Sequence, residues 1–177
     1  MKVCILGDGL TSLSLAKALV NKSIYTDVYL TQNYKKKDKS RSLGISKTNI
    51  EFFNKNIVNI EKFLWDIKKI EIYSESLDNQ KIIDFKKDDQ RLFSVIKNHK
   101  LISHLINQLK KNKFLKFKKK INDYQLLKKN YSLVINCESD NEITKKYFYK
   151  KINKNYKSIA YTCIIEHEKF YRNNIAI

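Results

Sequence analysis

The chain has 177 residues and a mass of 21.1 kDa, which suits one domain with its own core and is too short for two large domains. A hydrophobic content of 42% and an aromatic content of 12% exclude global disorder and a fibrous repeat. No apolar run in the sequence reaches the length that spans a bilayer, and the first ten residues lack the hydrophobic region and cleavage site of a signal peptide. We therefore expect a cytoplasmic protein.

The net charge is +18, and such a charge normally indicates nucleic acid or an anionic membrane surface as a partner. All but three of the 36 basic residues are lysines, and these are spread along the whole chain. Proline is absent and glycine occurs three times, a composition typical of coding bias toward A/T-rich codons. We expect a solvated lysine surface and no specific nucleic-acid partner.

The cysteines Cys4, Cys137 and Cys163 are far apart in the sequence and form no CxxC pair. Their odd number and their spacing predict neither a disulfide framework nor a zinc site, and we expect no bound metal. Free thiols fit a reducing compartment such as the cytoplasm.

The first thirty residues carry the clearest pattern of elements. Residues 2–6 form a short continuous apolar run, which is typical of a strand buried on both faces of a parallel sheet. Apolar residues then recur at helical spacing from Leu10 to about Asn21, and residues 27–31 are again rich in strand formers. The sequence therefore predicts one βαβ unit at the start of an α/β fold.

The remaining elements are weaker but can be placed in order. After a lysine-rich loop, Ser46 is a candidate N-cap for a helix that reaches Phe53, and a second short helix is predicted from about Ile57 to Trp65. Asn98 is a candidate N-cap for an amphipathic helix. Alternating or continuous apolar residues predict strands, the first three as a small antiparallel patch, at residues 67–73, 80–85, 91–96, 114–117, 123–127, 131–136 and 158–166.

The turn between the first strand and the first helix carries the chemistry. Gly7, Gly9 and Ser12 occupy the three glycine positions of a GxGxxG motif, and Leu10 and Thr11 begin the helix. Gly7 allows the tight turn, and Gly9 has no Cβ to hold a pyrophosphate away from the helix N-terminus, where N–H groups and the helix dipole favour an anion. Ser12 is small enough for the helix to approach the strand. This context predicts dinucleotide binding.

An acidic residue that binds the ribose hydroxyls is expected about 20 positions further on, at the end of the second strand. Gln32 stands there instead. Its amide can bond a hydroxyl without charge assistance, so we expect that contact to be weaker by about 1 kcal/mol. The alternative is that Gln32 only ends the strand, and the sequence does not decide between the two.

Three segments together carry a resemblance to a known family. They are the turn with its strand at 3–12 (VCILGDGLTS), residues 41–46 (RSLGIS), and residues 93–98 (FSVIKN) leading into the helix. In this order they resemble the FAD-dependent aromatic hydroxylases of ubiquinone biosynthesis, which belong with the para-hydroxybenzoate hydroxylase-like flavoprotein monooxygenases. Residues 133–139 (LVINCES) stand where that family has a strand followed by an Ala-Asp-Gly signature, and residues 161–176 resemble the strand after it.

The resemblance implies a Rossmann-like FAD/NAD(P)-binding domain with a parallel sheet and an antiparallel patch. FAD would lie with its ADP half across the turn, Gln32 at the ribose and Arg41 near the pyrophosphate, where a planar guanidinium can pair two phosphate oxygens. Glu138 would take the place of the signature Asp. NAD(P)H would act as a transient reductant. No residue is assigned a catalytic role.

Family members continue into a Gly-Asp motif that holds the flavin ring, and the resemblance therefore implies an incomplete, truncated or degenerate form. We expect one domain over residues 1–177, with substrate-side strands inserted around 67–96 and 158–177. By resemblance, the substrate would be a small aromatic or prenylated phenol. Peripheral association with the inner membrane surface and a complex with other ubiquinone-pathway proteins are also implied.

Two other functions stay open at this point. The turn at 7–12 would serve equally in a nicotinamide-dependent oxidoreductase that binds NAD(P). The lysine clusters, interleaved with aromatic residues, would serve in a basic module that binds nucleic acid or a membrane surface.

Overall fold

The fold is built on a parallel sheet whose central strand is the apolar run near the start of the chain. The computed structural model describes residues 1–30, 39–86, 90–119, 127, 129–139, 141–147, 152, 154–159, 161 and 175–176. The strands of this sheet are β1 (Lys2–Leu6), β2 (Tyr25–Tyr29), β8 (Leu115–Lys118) and β9 (Leu133–Asn136). Their order across the sheet is β8-β2-β1-β9, with all neighbours parallel.

Two helices cover one face of this sheet. They are α1 (Leu10–Asn21) and α3 (Asn98–Lys110), which pack against each other. Leu13 and Leu105 are fully buried in the larger core cluster, as are Val3 and Ile5 of β1, which point to the same face. Full burial of a leucine side chain contributes about 2 kcal/mol relative to exposure, so this layer supplies much of the driving force for folding.

The opposite face of the sheet is covered by a smaller cluster. Cys4 and Leu6 of β1 lie there beside Tyr131 and Leu127. Ile143 of the short helix α4 (Glu142–Tyr147) completes the cluster. Because β1 is buried on both faces, its side chains do not alternate between apolar and polar, which confirms the interpretation of its continuous apolar run.

The segment between the first βαβ unit and α3 contributes most strands of two small sheets, in agreement with the predicted antiparallel patch. The strands are β3 (Ser42–Ser46), β4 (Leu64–Ile67), β5 (Lys69–Ser74), β6 (Gln80–Lys86), β7 (Phe93–Lys97) and β10 (Ile175–Ala176), and helix α2 (Lys47–Asn56) follows β3. The sheet β3-β7-β4 is antiparallel throughout. In the sheet β10-β5-β6, β5 and β6 are antiparallel and β10 pairs with β5 in parallel.

An ion cluster fixes the pairing of β5 with β6. The carboxylate of Glu71 is 3% exposed and lies 2.6 Å from the Lys69 ammonium and 2.7 Å from the Lys81 ammonium. Hydrogen bonds from Lys69 and Lys81 lower the pKa of Glu71 to about 2, so the carboxylate is ionised at neutral pH.

Several predicted helices and strands differ from those in the structure. Residues 57–65 do not form a helix, because only Glu61–Phe63 makes a single 3₁₀ turn before β4 begins. The predicted strand 67–73 is divided between β4 and β5, which belong to different sheets. Strand β3 was not predicted, and the N-cap of α3 is Lys97, one residue before Asn98. Ser46 does cap α2, since its hydroxyl accepts from the Asn49 N–H at 3.3 Å.

Some predictions fall on positions outside the described residues. Most of the strand predicted at 123–127 lies there, and its last residue, Leu127, is helical. Of the strand predicted at 158–166, only residues 158, 159 and 161 are described, and these are exposed and form no strand. Within the described part of the chain, no helix is long and apolar enough to cross a membrane.

Candidate functional site

The turn after β1 has the backbone that its glycine pattern predicts. Gly7 has a φ of +114°, a region that residues with a Cβ rarely adopt, and its N–H donates to the Tyr29 carbonyl at 3.0 Å. A Cβ placed on Gly7 would lie 2.9 Å from the Ser12 Oγ and 2.9 Å from the Glu138 Cγ. Gly7 therefore has no room for a side chain. The side chains of Ser12 and Glu138 both lie close to it.

We expect Gly7→Ala to destabilise the fold. The added methyl group meets strain at this φ and close contacts with two side chains, which together cost at least about 2 kcal/mol. Urea denaturation followed by circular dichroism measures the change in the free energy of unfolding. A loss similar to that of Gly44→Ala would contradict the prediction, because a Cβ at Gly44 meets only ordinary contact with Phe93 at 3.6 Å.

Unlike Gly7, Gly9 has free space at the position that a Cβ would occupy. A Cβ on Gly9 would have no heavy atom within 4 Å among the described residues, its chain neighbours aside. Gly9 is the N-cap of α1 and offers no side-chain hydrogen bond, while the first turn holds no acidic residue. The N–H groups of Leu10, Thr11 and Ser12 have no partner inside the helix and carry the positive end of its dipole. This position has both the space and the charge to receive a phosphate group.

The strand order places the turn at a reversal of direction in the sheet. The chain leaves β1 for β2 on one side, and β9 pairs with the other side of β1. The Cys137 N–H donates to the Leu6 carbonyl at 3.0 Å, which brings the carboxyl ends of β1 and β9 together. In open α/β sheets the crevice outside such a pair of strand ends is the usual ligand site.

A network of short polar side chains fixes the loop after β9. The Thr144 hydroxyl donates to the Glu138 carbonyl at 2.6 Å and accepts from the Asn136 amide at 2.6 Å. The Asn136 Oδ1 accepts from the Glu138 N–H at 3.2 Å and from Asn141 at 2.9 Å. These contacts hold Glu138 beside Gly7.

These positioning residues were not predicted from the sequence, although one signal for them was present. Asn141 precedes the short helix α4 and its Oδ1 accepts from the Thr144 N–H at 2.7 Å, which is the ordinary N-cap arrangement. An asparagine just before a helical segment and three residues ahead of a threonine could have shown that this loop is ordered.

Ser12 and Cys137 meet beneath the turn. Ser12 is 1% exposed, and Cys137 packs at the margin of the core. Burial raises the pKa of the Cys137 thiol, and a hydrogen bond from Ser12 only partly opposes this rise. The thiol is therefore neutral at physiological pH and fills space between the strand ends. Cys4 and Cys137 are both free thiols.

The structure does not bring all of the predicted site residues together. Arg41 is exposed, and its carbonyl accepts from the Asn98 N–H at 3.0 Å just before β3. Its guanidinium makes no ion pair or hydrogen bond with any described residue. Gln32 lies outside the described residues. Over those same ranges, no group of three His, Cys, Asp or Glu side chains is arranged to hold a metal ion.

Comparison with known proteins gives a match in fold but not in sequence. No family model and no curated protein matches the chain. Among solved structures, PqsL of Pseudomonas aeruginosa, described as a probable FAD-dependent monooxygenase, aligns over 86% of this chain with a TM-score of 0.62 and 9% identity. The p-nitrophenol 4-monooxygenase PnpA of Pseudomonas putida aligns over 70% with a TM-score of 0.56 and 11% identity.

A third structure was solved with its cofactor. A variant of HpxO from Klebsiella pneumoniae, complexed with FAD, aligns over 70% of this chain with a TM-score of 0.53 and 15% identity. The chain shares its fold with part of each of these proteins. This confirms the predicted fold class, an α/β domain with a parallel sheet and small antiparallel sheets. The chain spans only 46%, 34% and 32% of the lengths of PqsL, PnpA and HpxO, respectively.

Proposed function

We propose that this chain binds FAD, with the ADP half of the cofactor on the turn at Gly7–Ser12. The observation that carries the proposal is the open space at Gly9, in front of the uncapped start of α1 and at the crevice between β1 and β9. Two linked phosphates need this combination of close backbone approach, free N–H groups and a positive dipole end. The FAD-binding monooxygenase fold favours FAD over other dinucleotides.

The residues around the turn have separate roles in this proposal. The N–H groups of Leu10, Thr11 and Ser12 donate to the pyrophosphate, and Glu138 accepts from a hydroxyl group of the cofactor beside Gly7. Arg41 pairs with phosphate oxygens from the loop before β3, and Gln32 accepts from the adenosine ribose. When bound, FAD supplies the redox and oxygen chemistry, with NAD(P)H as the reductant, and the chain binds and orients it.

We further propose that the protein is related to the aromatic-ring hydroxylases of ubiquinone biosynthesis, with a small aromatic or prenylated phenol as the substrate. The support for this finer assignment is the resemblance of residues 3–12, 41–46 and 93–98. An aromatic substrate agrees with the names of fold neighbours such as p-nitrophenol 4-monooxygenase and 2,6-dihydroxypyridine-3-hydroxylase. Association with the membrane surface and with other proteins of that pathway stays a prediction.

Titration of the purified chain with FAD tests the cofactor assignment. We expect saturable binding of FAD in equilibrium dialysis at a stoichiometry of one, with ADP as a competitor and riboflavin without effect, because the turn contacts the ADP half. Binding of NADH without binding of FAD would favour the nicotinamide-dependent alternative. Salt-sensitive retention of nucleic acid without any response to a dinucleotide would favour the basic-module alternative.

A further inference from the structure

A second cleft lies at the end of the parallel sheet opposite the turn. It has a volume of about 540 Å³ and is bordered by the first residues of β1 and β2 and by the segment that leads into β8. This volume is within the range of sites that bind small molecules. The side chains that matter for its chemistry are Lys2, Tyr25, Asp27, Lys113, Phe114 and Lys116.

The cleft has more positive than negative charge. Lys2 pairs with Asp27 at 3.1 Å, and Asp27 is the one carboxylate among the described residues that line the cleft. Lys113 and Lys116 are exposed, and neither forms an ion pair with a described residue. Two ammonium groups that line the same cleft without a carboxylate partner among the described residues attract a ligand with a doubly charged anionic group such as a phosphate ester.

Asp27 gives the cleft a hydrogen-bond acceptor that is already ordered. The residue is 2% exposed. Its Oδ2 accepts from the Tyr131 hydroxyl and lies 3.1 Å from the Lys2 ammonium and 3.0 Å from the Lys118 ammonium. All three contacts use Oδ2, which leaves Oδ1 to accept from a hydroxyl or amino group of a ligand. A ligand that combines an anion with such a donor group therefore fits better than a simple anion.

Two aromatic rings supply the third part of the site. The rings of Tyr25 and Phe114 pack edge to face with centroids 5.0 Å apart, and Tyr25 is 57% exposed. The Lys113 ammonium lies 5.3 Å from the centroid of the Phe114 ring. An exposed ring next to ammonium groups offers a stacking surface for a planar base beside the groups that would bind its phosphate.

We propose that this cleft binds a nucleoside phosphate, either free or as the phosphorylated end of a single-stranded nucleic acid. Lys113 and Lys116 bind the phosphate, Tyr25 stacks on the base, and Asp27 accepts from a hydroxyl or amino group of the nucleoside. The cleft is at the far end of the strands from Gly9, so this proposal does not depend on FAD binding at the turn.

The experiment uses the full chain carrying Gly9→Val, in which we expect the turn to bind no nucleotide. Calorimetric titration with adenosine 5′-monophosphate should show one saturable site. Lys113→Ala with Lys116→Ala should weaken binding by about tenfold or more, while Lys55→Ala with Lys100→Ala, which removes the same charge from exposed helical positions, should change it by less than about twofold. Tyr25→Ala should weaken binding of the nucleotide but not of inorganic phosphate.

Protection from acetylation gives a measurement that needs no substitution in the cleft. Adenosine 5′-monophosphate should protect Lys113 and Lys116 but not Lys55 or Lys100. A 5′-phosphorylated oligothymidine distinguishes the two possible ligands. Tighter binding of the oligomer than of the mononucleotide would show that the cleft binds the end of a nucleic acid. Tighter binding of the mononucleotide would show that it binds a free nucleoside phosphate. The proposal would be overturned if the two double lysine substitutions weakened nucleotide binding equally, or if neither ligand showed saturable binding.

Discussion

Gly9→Val is expected to abolish binding of FAD and of ADP while the chain keeps its fold. Gly9 has a φ of −71° and a ψ of 176°, which valine adopts without strain, and its Cβ direction is free of heavy atoms within 4 Å. The valine side chain would fill the space in front of the helix N-terminus that two phosphates need. We expect at least about a hundredfold weaker binding, or about 2.8 kcal/mol.

Equilibrium dialysis with FAD measures this loss, and the free energy of unfolding in urea is the control. Because a Cβ at Gly9 meets no heavy atom of the described residues within 4 Å, its chain neighbours aside, stability should change by less than about 1 kcal/mol. The opposite pattern is expected for Gly7→Ala, whose cost is mainly in stability. Retained affinity for FAD in a folded Gly9→Val variant would show that the turn is not the binding site.

The elements that the sequence predicted well are those whose own residues decide their burial. The bounds of β1 and α1 agree with the prediction because a continuous apolar run and a helical apolar period are properties of the segment itself. Strand β3 was missed for the opposite reason. It has two partly buried apolar residues, Leu43 and Ile45, and is held mainly by antiparallel pairing with β7, about fifty residues later in the chain.

The candidate site likewise contains residues that a local motif predicts and residues that only tertiary contacts place. The GxGxxG motif predicts the positions at which a Cβ or a bulky side chain would interfere, and these are Gly7, Gly9 and Ser12. The position of Glu138 against Gly7 depends on β9 pairing with β1 and on the contacts of Asn136, and neither can be read from local sequence. The pairing of β9 with β1 is a tertiary contact, and the sequence predicted only that a strand precedes Glu138.

Asp27→Asn is expected to cost about 2 kcal/mol of stability at pH 7, because a buried carboxylate is removed from two ammonium groups and a phenol. Burial by itself raises the pKa of Asp27, but hydrogen bonds from Tyr131, Lys118 and Lys2 outweigh it and lower the pKa below its usual value. The hydrogen bond with Asp27 likewise raises the pKa of Lys118. The charged pair is thus the stable form over the neutral range.

The pH dependence of this effect follows from the direction of the pKa shift. A carboxyl group with a depressed pKa in the folded state contributes stability above its unfolded pKa of about 3.9, and that contribution disappears as the pH falls through the folded pKa. The difference between wild type and Asp27→Asn should therefore be full at pH 7 and shrink steadily below about pH 4. Urea unfolding curves at several pH values from 7 down to about 2, below the unfolded pKa, measure this difference.

Asp84→Asn is the matched control for this series. Asp84 also lies close to two lysines, Lys69 and Lys81, but its side chain is 40% exposed and both lysines keep Glu71 as a partner. Solvent screens an exposed pair, so this substitution should have a much smaller effect. If the two substitutions cost the same, or if the cost of Asp27→Asn did not change with pH, the cluster around Asp27 would contribute no more than a surface ion pair. Its burial beneath Tyr131 makes the opposite result the expected one.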